Sequence, residues 1–189
     1  MKIENRADYE SMFLDNFGDI SKTTLGEIKE DRVRIDLGGD LEDGFRVKQA
    51  LERGKAVLDC CFEGKGIWLH ITLWGDDELT ALKKAGMNPD VADKNLDWNE
   101  DGNDVLCLYY KQYSFEKVLP LALSVINYEL AFDPSANIAC YFIDFNEPVV
   151  VNIYDDRGCD IYAPQSDLVA VINARFSDWL NQYAKSTTK

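Results

Sequence analysis

Histidine is almost missing from this chain. His70 is the one histidine in 189 residues, so triad or general-base chemistry would rest on a single side chain. Zinc sites need clustered Cys and His, and the five cysteines form no Cys-x-x-Cys pair. Cys60 and Cys61 are adjacent on an expected helix, and Cys107, Cys140 and Cys159 fall in strand-like runs. An odd number of such residues suits free, structural thiols in a reducing compartment. No Gly-x-x-x-x-Gly-Lys, Gly-x-Gly-x-x-Gly, His-Glu-x-x-His or Gly-x-Ser-x-Gly motif occurs. No apolar run reaches the roughly 18 residues of a membrane span. The polar, acidic Met1–Glu10 lacks the hydrophobic region of a secretory leader, which leads to an expected cytoplasmic location. These absences lead to an expectation of no enzyme activity, no metal and no cofactor.

Basic residues are also scarce. Twenty Lys and Arg against 34 Asp and Glu give a net charge of −14. Nucleic acid and anionic membrane surfaces are disfavoured, because phosphate binding needs clustered Lys and Arg. A basic protein partner is favoured, since long-range attraction speeds its encounter. What is present is globular: 46% apolar residues and 29% charged, over a length that suits one domain spanning 1–189 with a frayed tail at 184–189.

Periodicity gives the elements. Tyr9, Met12, Phe13 and Phe17 mark a helix over Arg6–Phe17, and Ser21–Glu30 reads as surface loop. Val33, Ile35 and Leu37 alternate into a short strand ending at Gly38-Gly39. Leu41–Phe62 carries apolar residues at helical steps. Ile67–Leu73 is apolar on one side and aromatic on the other, as in a central strand. Asp76–Ala85 is a short helix with acids first and lysines last. Val105–Tyr113 is a strand, and Ser114–Phe132 a helix that Pro120 kinks or restarts. Tyr141–Phe145 and Pro148–Tyr154 pair around Asn146-Glu147, and Cys159–Ala163 follows as a further strand. Ser166 caps a last helix with Leu168, Ile172, Phe176, Trp179 and Tyr183 on one stripe. The sum is an α+β domain, with an antiparallel-rich mixed sheet of about five to six strands, packed helices and a C-terminal helix.

Three places could carry function. Asn88–Asp104 has no sustained apolar period and reads as a long acidic loop. Within it, Asp97-Trp98-Asn99-Glu100-Asp101-Gly102 matches the start of a calcium-binding loop. The match fails where Asp104 replaces an apolar residue and Leu108 the final bidentate Glu, so a solvated acidic loop is expected. The second place is Asp155-Asp156-Arg157-Gly158. It reads as a structural turn in which Gly158 takes a positive φ, an Asp caps nearby amides and Arg157 pairs with Asp160 or another carboxylate. The third is His70, read as a half-buried, hydrogen-bonded histidine. A hydrolase or ligand-binding alternative would need it to share a cleft with Asp155, Asp156 or Asp160.

The segment from Val151 to Ala163, with Tyr154-Asp155-Asp156-Arg157-Gly158 at its centre, resembles the hallmark of a bacterial family catalogued as domain of unknown function 3885. Ile126–Glu129, Phe176–Leu180 and the helix-to-strand join over Ala50–Trp74 are similar to that family too, so the resemblance runs from about Phe45 onward. No catalytic residues come with it. Small acidic bacterial proteins of this kind resemble immunity proteins of contact-dependent growth inhibition. That likeness implies an inhibitor that covers a basic toxin domain, often a nuclease, in the cytoplasm. The surface expected to do so is Asp93, Asp97, Glu100, Asp101 and Asp104, with Trp98 as aromatic anchor. An acidic interaction domain without a toxin partner is the other binding alternative.

Overall fold

In chain order the elements are α1 (Arg6–Phe17), β1 (Arg32–Asp36), α2 (Asp43–Phe62), β2 (Ile67–Leu73), α3 (Glu78–Lys84), β3 (Lys94–Glu100), β4 (Asn103–Tyr110), α4 (Phe115–Tyr128), β5 (Ile138–Asp144), β6 (Val149–Ile153), β7 (Gly158–Tyr162) and α5 (Leu168–Arg175). They come from a computed structural model that describes residues 3–18 and 25–180. Tyr183 and the 184–189 tail lie outside the described residues, as does part of the expected loop after α1.

The strands form one sheet in the order β1-β7-β6-β5-β2-β4-β3. Every pairing is antiparallel. The fold is therefore α+β, with seven strands among the described residues rather than five to six, and without mixed pairing. The additional strand is β3, inside the stretch expected to be a loop. Asp101 and Gly102 take φ values of 50° and 88° between Glu100 and Asn103, which face each other. Two positive-φ residues make the type I′ turn that Asp-Gly favours, so the acidic stretch folds as a hairpin.

Alternation gives the sheet two apolar faces. On one, Ile67, Leu69 and Ile71 of β2 join Leu108, Phe142, Val151 and Ile161 beneath α2, α4 and α5, including Leu58, Phe62, Val118, Leu121 and Ile172. On the other, Trp68, Val105, Cys107, Ile143 and Val150 lie beneath α1, which contributes Tyr9 and Phe17. Each fully buried side chain of this size contributes about 2–3 kcal/mol. Two-sided burial is why β2 lacks a polar row and sits inside the sheet, as its sequence implies.

Helix ends follow local chemistry. The Asn5 side chain accepts from Asp8 N–H at the start of α1, and Gly18 at φ 71° ends it. α4 continues through Pro120 as one helix. Ser166 Oγ accepts from Leu168 N–H at 3.1 Å, so it does serve the start of α5. That helix stops at Arg175, short of the expected stripe, and a single 3₁₀ turn carries Trp179 to stack on Phe176 at 4.9 Å.

Candidate functional site

The Asp155–Gly158 segment connects β6 to β7 and is clamped by the end of β1. Leu37 N–H donates to Arg157 O and Gly38 N–H to Asp156 O, both at 2.8 Å. Asp155 and Asp156 are only 2% and 1% exposed. Asp156 is ion-paired with Arg46 of α2, while burial, opposed by Arg46, pushes its carboxyl pKa up. Asp155 accepts from Arg157 N–H and Nε, each at 2.7 Å. Arg157 therefore pairs with its neighbour Asp155, whereas Asp160 lies 3.3 Å from Arg32. One detail corrects the sequence reading: Gly158 is not among the positive-φ residues. It is needed for space, since a Cβ there would run into the Tyr154 hydroxyl and sit 2.9 Å from Ile35 O. The segment joins β1, α2 and the β6–β7 connection into one buried knot.

His70 faces α1 from β2. Its Nδ1 lies 3.1 Å from Tyr9 Oη and 3.6 Å from Cys107 Sγ. The rings of Tyr9, Trp98 and Tyr141 surround it at 5.7–6.1 Å between centroids. Loss of water lowers its pKa from 6.5 to about 4, so the ring is neutral at pH 7. Across the sheet, His70 registers with Tyr141, Tyr141 with Asn152, and Asn152 with Asp160. Asp160 is thus three strands, about 14 Å, away. Asp156 is tied to α2 on the opposite side. The hydrogen-bonding neighbours of His70 are Tyr9 and Cys107, and Asp156 and Asp160 lie away from it. The thiols of Cys61, Cys107, Cys140 and Cys159 are buried, which raises their pKa values and keeps them protonated.

The expected acidic surface divides in two. Asp97 and Asp104 lie on the helix-side face near the exposed end of the β3–β4 hairpin and Asp101 in its turn, while Glu100 is on the α1 face, 3.5 Å from the Arg6 guanidinium. Asp93 precedes β3, about 25 Å along the strand from the turn. Its carboxylate accepts from Lys111 N–H at 2.8 Å and lies 3.0 Å from Lys111 Nζ. The Lys111 amide, chiefly, lowers its pKa, so Asp93 is a structural acceptor rather than part of the hairpin cluster. Trp98 is half-buried against Tyr9 and His70, with the Arg6 guanidinium 5.1 Å over its ring, and it also lines the cleft beside β3. Sequence periodicity places Trp74 in the aromatic row of the β2 stretch and not among the site residues. It follows β2, whose last residue Leu73 faces Asp104, and it is 51% exposed at the hairpin end of the sheet. The signal available was a Trp one residue past a strand and next to Gly75.

The calcium-loop geometry does not form. Asp97 and Asn99 point to one face of a strand, and Asn99 Oδ1 already accepts Gly102 N–H at 3.2 Å. No grouping of three His, Cys, Asp or Glu suited to a metal ion occurs among the described residues. On the helix-side face, Asn95, Asp97, Asn99 and Asp104 floor an open cleft of 390 Å³. Leu79 and Lys83 of α3 and Pro89-Asp90 wall it.

The scaffold is antiparallel α+β, with an acidic edge hairpin and with Asp155 and Asp156 buried beneath an exposed Arg157. The chain matches the family described as "Domain of unknown function (DUF3885)" over residues 10–184, and it belongs to that family. The match takes in α1 and β1, upstream of the segments whose likeness the sequence reading used. No curated protein and no solved structure matches the chain. No helix among the described residues is long and apolar enough to cross a membrane.

Proposed function

We propose that this protein is a binding protein rather than an enzyme, and that it neutralises a basic toxin domain in the cytoplasm as an immunity protein. The observation carrying the reading is the exposed hairpin end, which presents Asp97, Asp101 and Asp104 on a chain of net charge −14. Asp97 and Asp101 have no ion-pair partner among the described residues. Their charge is available to a partner, whereas the acids of the Asp155–Gly158 knot are already spent on Arg46 and Arg157. Exposed Trp74, one residue past the end of β2 that registers with Asp104, is the kind of aromatic that binding hot spots favour. A basic nuclease surface, shaped to hold phosphates, is the kind of surface such a cluster covers.

The test starts at the adjacent gene, where the reading expects an upstream toxin C-terminal domain and is contradicted by its absence; the two proteins are then co-expressed. Wild-type protein restores growth. The variant Asp97→Lys/Asp101→Lys/Asp104→Lys, folded by circular dichroism, does not. Growth arrest that wild-type protein leaves untouched contradicts the immunity reading. Rescue by the triple variant at equal expression contradicts this surface.

A further inference from the structure

The sheet has two edges, and the chain treats them differently. At the β1 edge, Leu180 bridges to Ile35. At the β3 edge, no strand among the described residues pairs with the outer side. Hairpin geometry determines which groups face outward there. A two-residue turn makes Glu100 and Asn103 a hydrogen-bonded pair. By alternation, Trp98 with Val105, Leu96 with Cys107 and Lys94 with Tyr109 are hydrogen-bonded too. Asn95, Asp97 and Asn99 consequently turn their N–H and C=O groups away from β4. Asp93 N–H reaches back to Tyr109 O at 2.8 Å, which ends the free run below Asn95.

The same three residues send their side chains over the 390 Å³ cleft. Their neighbours Leu96 and Trp98 pack with the opposite face of the sheet. A strand laid against β3 would thus meet amide and carboxylate groups on one side and an apolar row on the other. The charge selects among occupants. A second copy paired about Asp97 would set carboxylate beside carboxylate, with −14 on each chain. A segment with Lys or Arg at every second position meets no such repulsion, and its long side chains reach the Asp97–Asp104 floor.

We infer that β3 is a docking edge for strand addition. It takes an extended segment of a protein partner with alternating basic and apolar residues, its bases over the cleft and its backbone bonded to Asn95, Asp97 and Asn99. This rests on the reading of the hairpin as the binding surface and adds the mode of binding and the chemistry of the partner segment.

The test uses the isotope-labelled full chain and a synthetic peptide of about nine residues with Lys and Arg alternating with Val. A peptide with Glu at the basic positions is the control. At saturation, amide exchange at Asn95, Asp97 and Asn99 should slow by about tenfold or more, against little change at Leu96 and Trp98, which are already bonded in the ladder. Asp97→Pro removes an outward N–H without taking one from the β3–β4 ladder, so it should weaken binding about tenfold beyond Asp97→Asn, which removes only charge. If the basic peptide binds but these amides gain no selective protection, strand addition is overturned while the charge-based reading stands. Equal affinities for folded Asp97→Pro and Asp97→Asn have the same meaning. If neither peptide binds, both ideas fall. Should Asp97→Pro not fold, the exchange pattern of the wild-type chain decides.

Discussion

At His70 the ring is half-buried beneath α1, held against Tyr9, Trp98 and Tyr141. Its lowered pKa makes a sign-definite prediction. The folded ring takes a proton only near pH 4, while the unfolded one takes it near 6.5. Between those values the unfolded chain holds more protons, so acidification from pH 6.5 removes stability, up to roughly 3 kcal/mol by pH 4. The buried Asp144, Asp156 and Asp160 have raised pKa values and work in the opposite direction, so the comparison must be made against a variant. Urea unfolding of His70→Gln across this range should show a shallower loss than wild type. Superimposable pH slopes would refute the assignment. Gly158 gives a second residue-level prediction. Gly158→Ala should cost about 2 kcal/mol through overlap with the Tyr154 hydroxyl and Ile35 O, and Tyr154→Phe should recover part of it, as read by thermal unfolding. The need for Gly158 was legible in the sequence, but its cause was not. A glycine in a turn suggests positive φ, and only the neighbouring strands reveal a lack of room.

At the scale of elements, helices and interior strands were the legible part. α1 occupies the span its apolar spacing marks, and β2 carries the doubly apolar alternation of an interior strand. β3 was not legible because an edge strand with one solvated face has little apolar alternation to show. Leu96 and Trp98 are its inward apolar residues, and the polar and acidic residues around them resemble a loop. The Asp101-Gly102 dipeptide was the overlooked signal. With Gly102 at φ 88°, Gly102→Val should destabilise the hairpin by about 1–2 kcal/mol and speed amide exchange in β3 and β4 ahead of β2. Uniform loss across the sheet would argue that the hairpin has no stability of its own. Trp98 was legible as an aromatic in an acidic stretch but not as a docking residue for α1, because its partners Tyr9 and His70 are distant in sequence.

For the whole molecule, charge is the property that composition states most directly and the fold organises. The net −14 is not spread evenly in its effect: buried acids face Arg32, Arg46 and Arg157, while Asp97, Asp101 and Asp104 at the hairpin end are exposed. The family match covers residues 10–184, while the binding role is argued from the hairpin. Trp74→Ala should weaken partner binding by about 2 kcal/mol, chiefly through faster dissociation, since it removes contact area and no charge. The most direct test of the central claim is stopped-flow association with the toxin domain at low and high salt. Wild-type protein should associate fast at low salt and slow steeply as salt rises, and Asp97→Lys/Asp101→Lys/Asp104→Lys should associate at least about tenfold more slowly at low salt with a flatter salt dependence. Identical association rates and salt slopes for the two proteins would contradict the account.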